Sequence, residues 1–281
     1  MQNVKQIWKE TAKQLEKVYN RREAEHIAYL LLEDVFKIKR PDILADERRE
    51  VSSGVLDDLV KRLLAKEPVQ YVTGIADFYG RKFEIAPGAL IPRPETEELC
   101  ELVIRENKVL NPKILDVGVG SGCIAVTLAL ELNGDVFGTD ISNDAIAIAN
   151  KNAAKLQSEI NLVKSDILNE VLAENNLDIL VSNPPYIPIS DQLEMHENVL
   201  KYEPELALFV PDNDPIIFYK RIADLAMKSL KRGGKLYFEI HERFGMEVQA
   251  YLAKVGYTEI QLHKDMQGKD RMIVAINSTN K

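Results

Sequence analysis

Ile114-Leu115-Asp116-Val117-Gly118-Val119-Gly120-Ser121-Gly122-Cys123-Ile124-Ala125 is the stretch on which the fold turns. Four residues that suit a buried strand run into a Gly-x-Gly-x-Gly turn, and the chain then takes up an apolar helical pattern. Glycines allow a tight reversal there and let a ligand approach backbone that carries no Cβ. The spacing is not the dinucleotide fingerprint Gly-x-Gly-x-x-Gly, because Gly122 follows Gly120 by two residues. A glycine pattern means little alone; the strand–turn–helix context gives it weight.

Downstream the period alternates. Residues 113–117, 136–139, 160–163, 179–182 and 235–240 read as strands, with helical patterns between the early ones, such as Ala145 to Leu156. Alternation of this kind predicts a parallel sheet covered on both faces. Residues 258–263 and 271–276 read as two further strands joined by a short loop, hence antiparallel. Asp140 ends the second strand and Asp166 closes the third strand region, both at the ligand-binding edge of such a sheet. A carboxylate at Asp140 suits two ribose hydroxyls, and Asp166 suits an adenine amino group. With the glycine loop, these acids point to a nucleoside ligand.

Upstream the pattern differs. Ala24, Ile27, Ala28, Leu31 and Val35 repeat at helical steps, as do Val55, Leu56, Leu59, Val60, Leu63 and Leu64. Ser52 or Ser53 is the expected N-cap of the second helix, and Pro68 its expected end. Such helices predict a small bundle over 1–72. Tyr71, Val72, Ile75, Phe78, Tyr79, Phe83 and Ile85 are strand formers, with a hairpin over 78–83, so 73–91 reads as a β-hairpin linker. Leu90-Ile91-Pro92-Arg93-Pro94-Glu95-Thr96-Glu97 predicts an extended segment and then a helix capped by Thr96. The remaining domain spans 92–281.

Asn183-Pro184-Pro185-Tyr186 follows the strand at 179–182. Proline lacks the ladder N–H and fixes φ, so the strand must stop there. The break presents an amide side chain, a carbonyl that no ladder uses and an aromatic ring, a set able to grip a planar group carrying an NH2.

Bulk properties narrow the function. The chain has 281 residues and a net charge of −8, distributed as about +1 over 1–72 and −9 over the rest. A duplex-DNA binder carries a basic footprint, and none is evident here. No apolar run approaches the roughly 18–20 residues that span a bilayer. Cys100 and Cys123 lie apart without CxxC spacing, and His26, His196, His241 and His263 show no metal-ligand spacing. A reducing cytosol and no metal are expected.

Asp-x-Gly-x-Gly-x-Gly, an acid after the second strand and Asn-Pro-Pro-Tyr after the fourth together resemble a class I S-adenosylmethionine-dependent methyltransferase acting on a planar nitrogen. Residues 68–74, 78–80, 91–97, 181–187, Tyr202-Glu203-Pro204 and Asp265-x-x-Gly268-x-Asp270-Arg271 are similar to the HemK/PrmC family over nearly the whole chain. The chain departs from the family at Pro211-Asp212-Asn213-Asp214-Pro215-Ile216, where glycines are common, and at Phe244, where Gln is common. The resemblance implies a Rossmann-like α/β methyltransferase domain, with the helical domain helping to hold a protein substrate. It implies methylation of the N5 of the glutamine in the Gly-Gly-Gln motif of class-one peptide chain release factors, in the cytoplasm. Gly118, Val119, Gly120, Ser121, Gly122, Asp140, Asp166, Ile167 and Asn183 are the expected S-adenosylmethionine residues. Asn183, Pro184, Pro185 and Tyr186 are expected to hold the acceptor, with Asn183, Pro184 and Tyr186 catalytic. Arg93 and Thr96 are candidates for the cofactor pocket lining. A DNA adenine or cytosine amino-methyltransferase conflicts with the acidic balance, and a non-catalytic scaffold with the intact Asn183 and glycine loop.

Overall fold

The computed structural model describes residues 1–279; Asn280 and Lys281, the end of the expected 92–281 domain, lie outside the described residues. By contacts the chain divides into two compact units. The first is Met1–Ile75 with His196–Tyr202, the second Ala76–Met195 with Glu203–Lys281. The division falls after Ile75 and not after residue 72.

The first unit is helical. Its helices include α1 (Val4–Leu15), α2 (Arg21–Phe36), α3 (Ser53–Leu64) and α4 (Val69–Thr73). Asn3 and Asn20 cap α1 and α2 through their side chains. Leu15, Ala28, Leu31 and Leu63 meet in one fully buried cluster, which accounts for the helical spacing of those positions. Ser52 sits at the N-cap of α3, but its side chain makes no capping bond. Pro68 does not end α3; that helix stops at Leu64, and Pro68 opens α4. Tyr71 and Val72 are therefore helical, against their strand preference, because Val72 joins the cluster and tertiary burial outweighs propensity. The detached segment His196–Tyr202 is tied in by the Tyr202 hydroxyl donating to the Ala65 carbonyl (2.9 Å) and by a Lys66–Glu197 ion pair (3.1 Å).

From the boundary residue Ile75 onward, β1 (Ile75–Phe78) and β2 (Arg81–Glu84) pair through the two-residue turn Tyr79-Gly80. Both turn residues have positive φ (48° and 71°), the two-residue turn whose twist suits a hairpin. Next come α5 (Pro94–Glu106), β3 (Lys113–Val117), α6 (Cys123–Leu132), β4 (Asp135–Asp140), α7 (Asn143–Lys155), β5 (Ile160–Lys164) and β6 (Leu177–Ser182). The chain closes with α8 (Ile217–Ser229), β7 (Leu230–Glu239), α9 (Gly245–Val255), β8 (Tyr257–Lys264) and β9 (Asp270–Asn277). The seven strands are ordered β8-β9-β7-β6-β3-β4-β5. Those from β7 to β5 run parallel, and β9 is antiparallel to both β7 and β8.

Each central strand feeds two cores. Ile114 and Val181 face a cluster with α5, α6, α7 and the hairpin aromatics Phe78 and Phe83, whereas Leu115 and Leu180 face α8 and α9. Both faces are covered, so these strands read as continuous apolar runs. After β3 the chain winds outward through β4 and β5, then returns to β6 on the other side of β3. That reversal opens a crevice at the carboxyl ends of β3, β4 and β6.

Candidate active site

The sheet register assembles the site before any side chain does. Val117 pairs with Thr139 on one side and Ser182 on the other, so the next residues, Gly118, Asp140 and Asn183, leave adjacent strand ends together. The buried Ser182 hydroxyl donates to the Val117 carbonyl (2.6 Å) and locks the β3–β6 edge where the prolines begin. A cavity of about 450 Å³ opens there, a volume suited to a small-molecule ligand.

The glycine loop forms one wall. Gly118, Gly120 and Gly122 all have positive φ, between 54° and 82°, which side chains rarely tolerate. A Cβ on Gly118 would meet no protein atom within 4 Å, so that backbone is open to a ligand. The loop is braced from beneath: the N–H groups of Gly118 and Val119 both donate to the Thr139 carbonyl (2.8 and 3.0 Å). Asn152, fully buried on α7, donates to the Ser121 carbonyl (2.9 Å). The Gly120 N–H donates to Asp140 Oδ2 (2.9 Å) and the Ser142 N–H to Oδ1 (2.8 Å). Each carboxylate oxygen keeps further acceptor capacity. Asp140 is thus no helix cap; Ser142 caps α7. Asp166 accepts from the Leu168 N–H (3.1 Å) and from Asn169 Nδ2 (2.7 Å).

Gly118, Val119, Gly120, Ser121, Asp140, Asp166, Ile167, Asn183, Pro184 and Pro185 all line the cavity, as do Arg93 and Thr96. Two expected residues do not. Gly122 opens α6, and a Cβ there would stand 3.0 Å from that of Ala149, so its bareness serves helix packing. Tyr186 points away from the lining: its ring packs edge-on against His241 at 5.9 Å and its hydroxyl donates to Glu239 Oε1 (3.2 Å). Ile141, Leu168, Leu206 and Phe218 line the cavity without having been singled out. Ile141 carried a signal, an apolar residue next to a strand-end acid, and it is 46% exposed.

Thr96 is not the cap of α5. The helix begins at Pro94 behind Arg93, and Thr96 lies inside its first turn. Its buried hydroxyl donates to Glu239 Oε2 (2.6 Å) and accepts from Asn183 Nδ2 (3.1 Å). Burial raises the Glu239 carboxyl above the ordinary carboxylate range, while Thr96, Arg271 and Tyr186 draw it back. Arg93 pairs with the buried Glu203 (2.6 Å), which also accepts the Ile91 N–H (3.2 Å), so Glu203 fixes the segment ahead of α5. Phe244 stacks obliquely on His241.

Asp116 lies fully buried beneath the loop. Burial pushes its carboxyl up to about 8; the Ala125 N–H opposes the rise and the Asp140 carboxylate adds to it. Among the described residues no His, Cys, Asp and Glu cluster able to hold a metal ion occurs. Cys100 and Cys123 are free, buried thiols.

The residues present fit S-adenosylmethionine. An open glycine cradle, two acids at consecutive strand ends and apolar side chains such as Ile141 and Ile167 match a nucleoside with hydroxyls, an amino group and a flat ring. Fold and site together define a class I S-adenosylmethionine-dependent methyltransferase. Similar solved structures include a methyltransferase from Pyrococcus furiosus (TM-score 0.55, 19% identity, 79% of this chain and all of that one). Another is the 16S rRNA methyltransferase RsmC of Thermus thermophilus (0.52, 19%, 72% and 49%).

Family models match as the PrmC N-terminal domain over residues 6–74 and the methyltransferase small domain over 98–202. The release factor glutamine methyltransferases of Flavobacterium psychrophilum and Bacteroides thetaiotaomicron are each 41% identical to the chain. The first match covers 92% of this chain and 94% of the relative, the second 93% and 95%. The chain belongs to the release factor glutamine methyltransferase family.

Proposed function

We propose that this protein transfers a methyl group from S-adenosylmethionine to N5 of the glutamine in the Gly-Gly-Gln motif of class-one release factors. The observation that carries the reading is the site's composition: the Asn183 amide and two prolines stand beside a glycine cradle flanked by two strand-end acids, in a chain 41% identical to two release factor glutamine methyltransferases along almost its full length.

The chemistry asks for geometry more than acid–base work. An amide nitrogen is a poor nucleophile because its lone pair is delocalised. Asn183 Oδ1 and the Pro184 carbonyl each accept one N–H of the target amide. Accepting both hydrogens raises electron density on the nitrogen and holds it in line for attack, at near-attack distances of roughly 3–3.5 Å. The cofactor supplies an electrophilic methyl on a sulfonium. Gly118, Val119, Gly120, Ser121, Asp140, Asp166 and Ile167 would hold it, with Asp140 on the ribose and Asp166 near the adenine amino group. No general base is assigned, because the methylated amide nitrogen, positively charged as it forms, is strongly acidic and sheds its proton readily once the product meets solvent. Tyr186 supports this arrangement through Glu239. The apolar lining keeps the pocket dry, which favours dispersal of positive charge in the transition state.

The helical unit is proposed to help hold the release factor. No helix among the described residues is long and apolar enough to cross a membrane. We place the reaction in the cytoplasm, where release factors act, and expect no stable binding to nucleic acid.

The test is mass spectrometry of a purified release factor incubated with enzyme and S-adenosylmethionine. One added methyl, localised to the Gly-Gly-Gln glutamine, is the expected result. An unmodified glutamine with active cofactor present overturns the proposal.

A further inference from the structure

We propose that Thr96 and Glu239 set the orientation of the Asn183 side-chain amide, so that its oxygen and not its nitrogen faces the acceptor. This rests on the reading of Asn183 as the group that accepts the target N–H.

An asparagine amide has two nearly isosteric ends with opposite hydrogen-bonding character. Only one orientation serves the reaction: with Nδ2 toward the acceptor, two N–H groups would confront each other. The structure contains a chain that decides between them. Glu239 ends β7, is 1% exposed, and receives two hydroxyl donors, Thr96 on Oε2 (2.6 Å) and Tyr186 on Oε1 (3.2 Å). Having given its one hydrogen to Glu239, the Thr96 hydroxyl has only lone pairs left. The group 3.1 Å from it must therefore be a donor, which is Asn183 Nδ2. Oδ1 is left free on the other side. The specification passes from a buried acid on β7, through a hydroxyl on α5, to the amide after β6.

Thr96 is 3% exposed and sits in the first turn of α5, so its rotamer is held by packing. Tyr186 ties the far end of the same tetrapeptide to the same carboxylate. The carboxylate thus positions both ends of Asn183-Pro184-Pro185-Tyr186. Neither Thr96 nor Glu239 needs to touch the transferred methyl; both are positioning residues.

The test compares Thr96→Val, Thr96→Ser, Glu239→Gln and Asn183→Ala, using a purified release factor as acceptor. Valine keeps the volume and removes the hydroxyl. Its kcat should fall roughly 10- to 100-fold, the scale expected for a misplaced reacting group. KM for cofactor and acceptor should stay within about threefold, and serine should restore kcat to within about threefold. Glu239→Gln should also lower kcat, because the new amide can donate to Thr96 and free its hydrogen to turn Asn183 over. Thermal unfolding reports whether each variant is folded. If Thr96→Val is not, Glu239→Gln carries the test with the same split between kcat and KM. Wild-type kcat in the folded Val variant, or equal losses in Val and Ser, overturns the inference. Retained turnover in Asn183→Ala would instead overturn the reading on which it rests.

Discussion

Replacing Asp116 by Asn should change how stability depends on pH, by an amount that follows from its burial. The carboxyl has no solvent exposure, and its folded value is about 8 against an ordinary 3.8. The folded value is raised, so the group's stabilising contribution is complete below about 4, drains away as pH rises, and is gone above about 8. Between those limits the folded state holds a proton that the unfolded state has released, which costs about 1.4 kcal/mol per pH unit. From pH 5 to 8 the loss reaches about 4 kcal/mol for this one group. Asparagine has the same shape, resembles the protonated acid and does not titrate. All other ionisable groups are common to both proteins and cancel in the difference. Urea unfolding of both, without cofactor, at several pH values from about 5 to 8.5 gives the comparison. The Asp116→Asn variant should gain on the wild type steadily up to about pH 8 and level off beyond. Parallel stability curves would refute the reasoning, showing that Asp116 ionises in the fold as it does in water.

Three further perturbations test the loop's supports. Gly122→Ala places a side chain at φ +82° with its Cβ 3.0 Å from that of Ala149, and should cost about 2–5 kcal/mol by urea unfolding; a loss under about 1 kcal/mol would mean α6 and α7 move apart freely. Asn152→Ala strips hydrogen bonds from the Ser121 carbonyl and from both backbone groups of Glu84, and should cost about 3 kcal/mol or more, read as a lower urea midpoint. Asp140→Ala should weaken S-adenosylmethionine binding roughly 10- to 100-fold by calorimetry, since it removes the proposed ribose acceptor together with the brace on the Gly120 N–H. Unchanged affinity would place the ribose elsewhere.

The parts of the molecule legible in the sequence are those set by local backbone chemistry. The β3 turn announces itself because three closely spaced glycines follow an apolar run, and the end of β6 because two prolines cannot stay in a ladder. Asp140 follows from being the acid at the next strand end. What stayed hidden depends on long-range packing. Tyr71 and Val72 look like strand residues, and only the cluster that Val72 shares with Leu31 and Leu63 makes them helical. Thr96 looks like a cap because threonine often is one, yet its hydroxyl is claimed by a residue 143 positions away. Glu239 carries no local mark at all: it is one acid at the end of one strand, and its partners appear only once β7 lies beside β6 and α5 packs across that edge.

That contrast follows the division of labour within the site. On the glycine-loop side, backbone N–H groups and carbonyls brace the bare glycines, and a sheet register shared by β3, β4 and β6 suffices to place them. On the acceptor side a single amide must be presented with one of its two ends forward, and no backbone register can make that choice. Side chains from separate elements have to converge on it, and they do so through a carboxylate kept from water. Glu239 is costly to bury, and the cost is offset because Thr96 and Tyr186 donate to its oxygens and Arg271 lies close enough to favour its charge. An acid with those partners is poorly placed to take protons from substrate and well placed to hold hydroxyls in one direction. The buried acid behind Asn183 is therefore accounted for by orientation, in keeping with a reaction whose difficulty lies in aiming a lone pair.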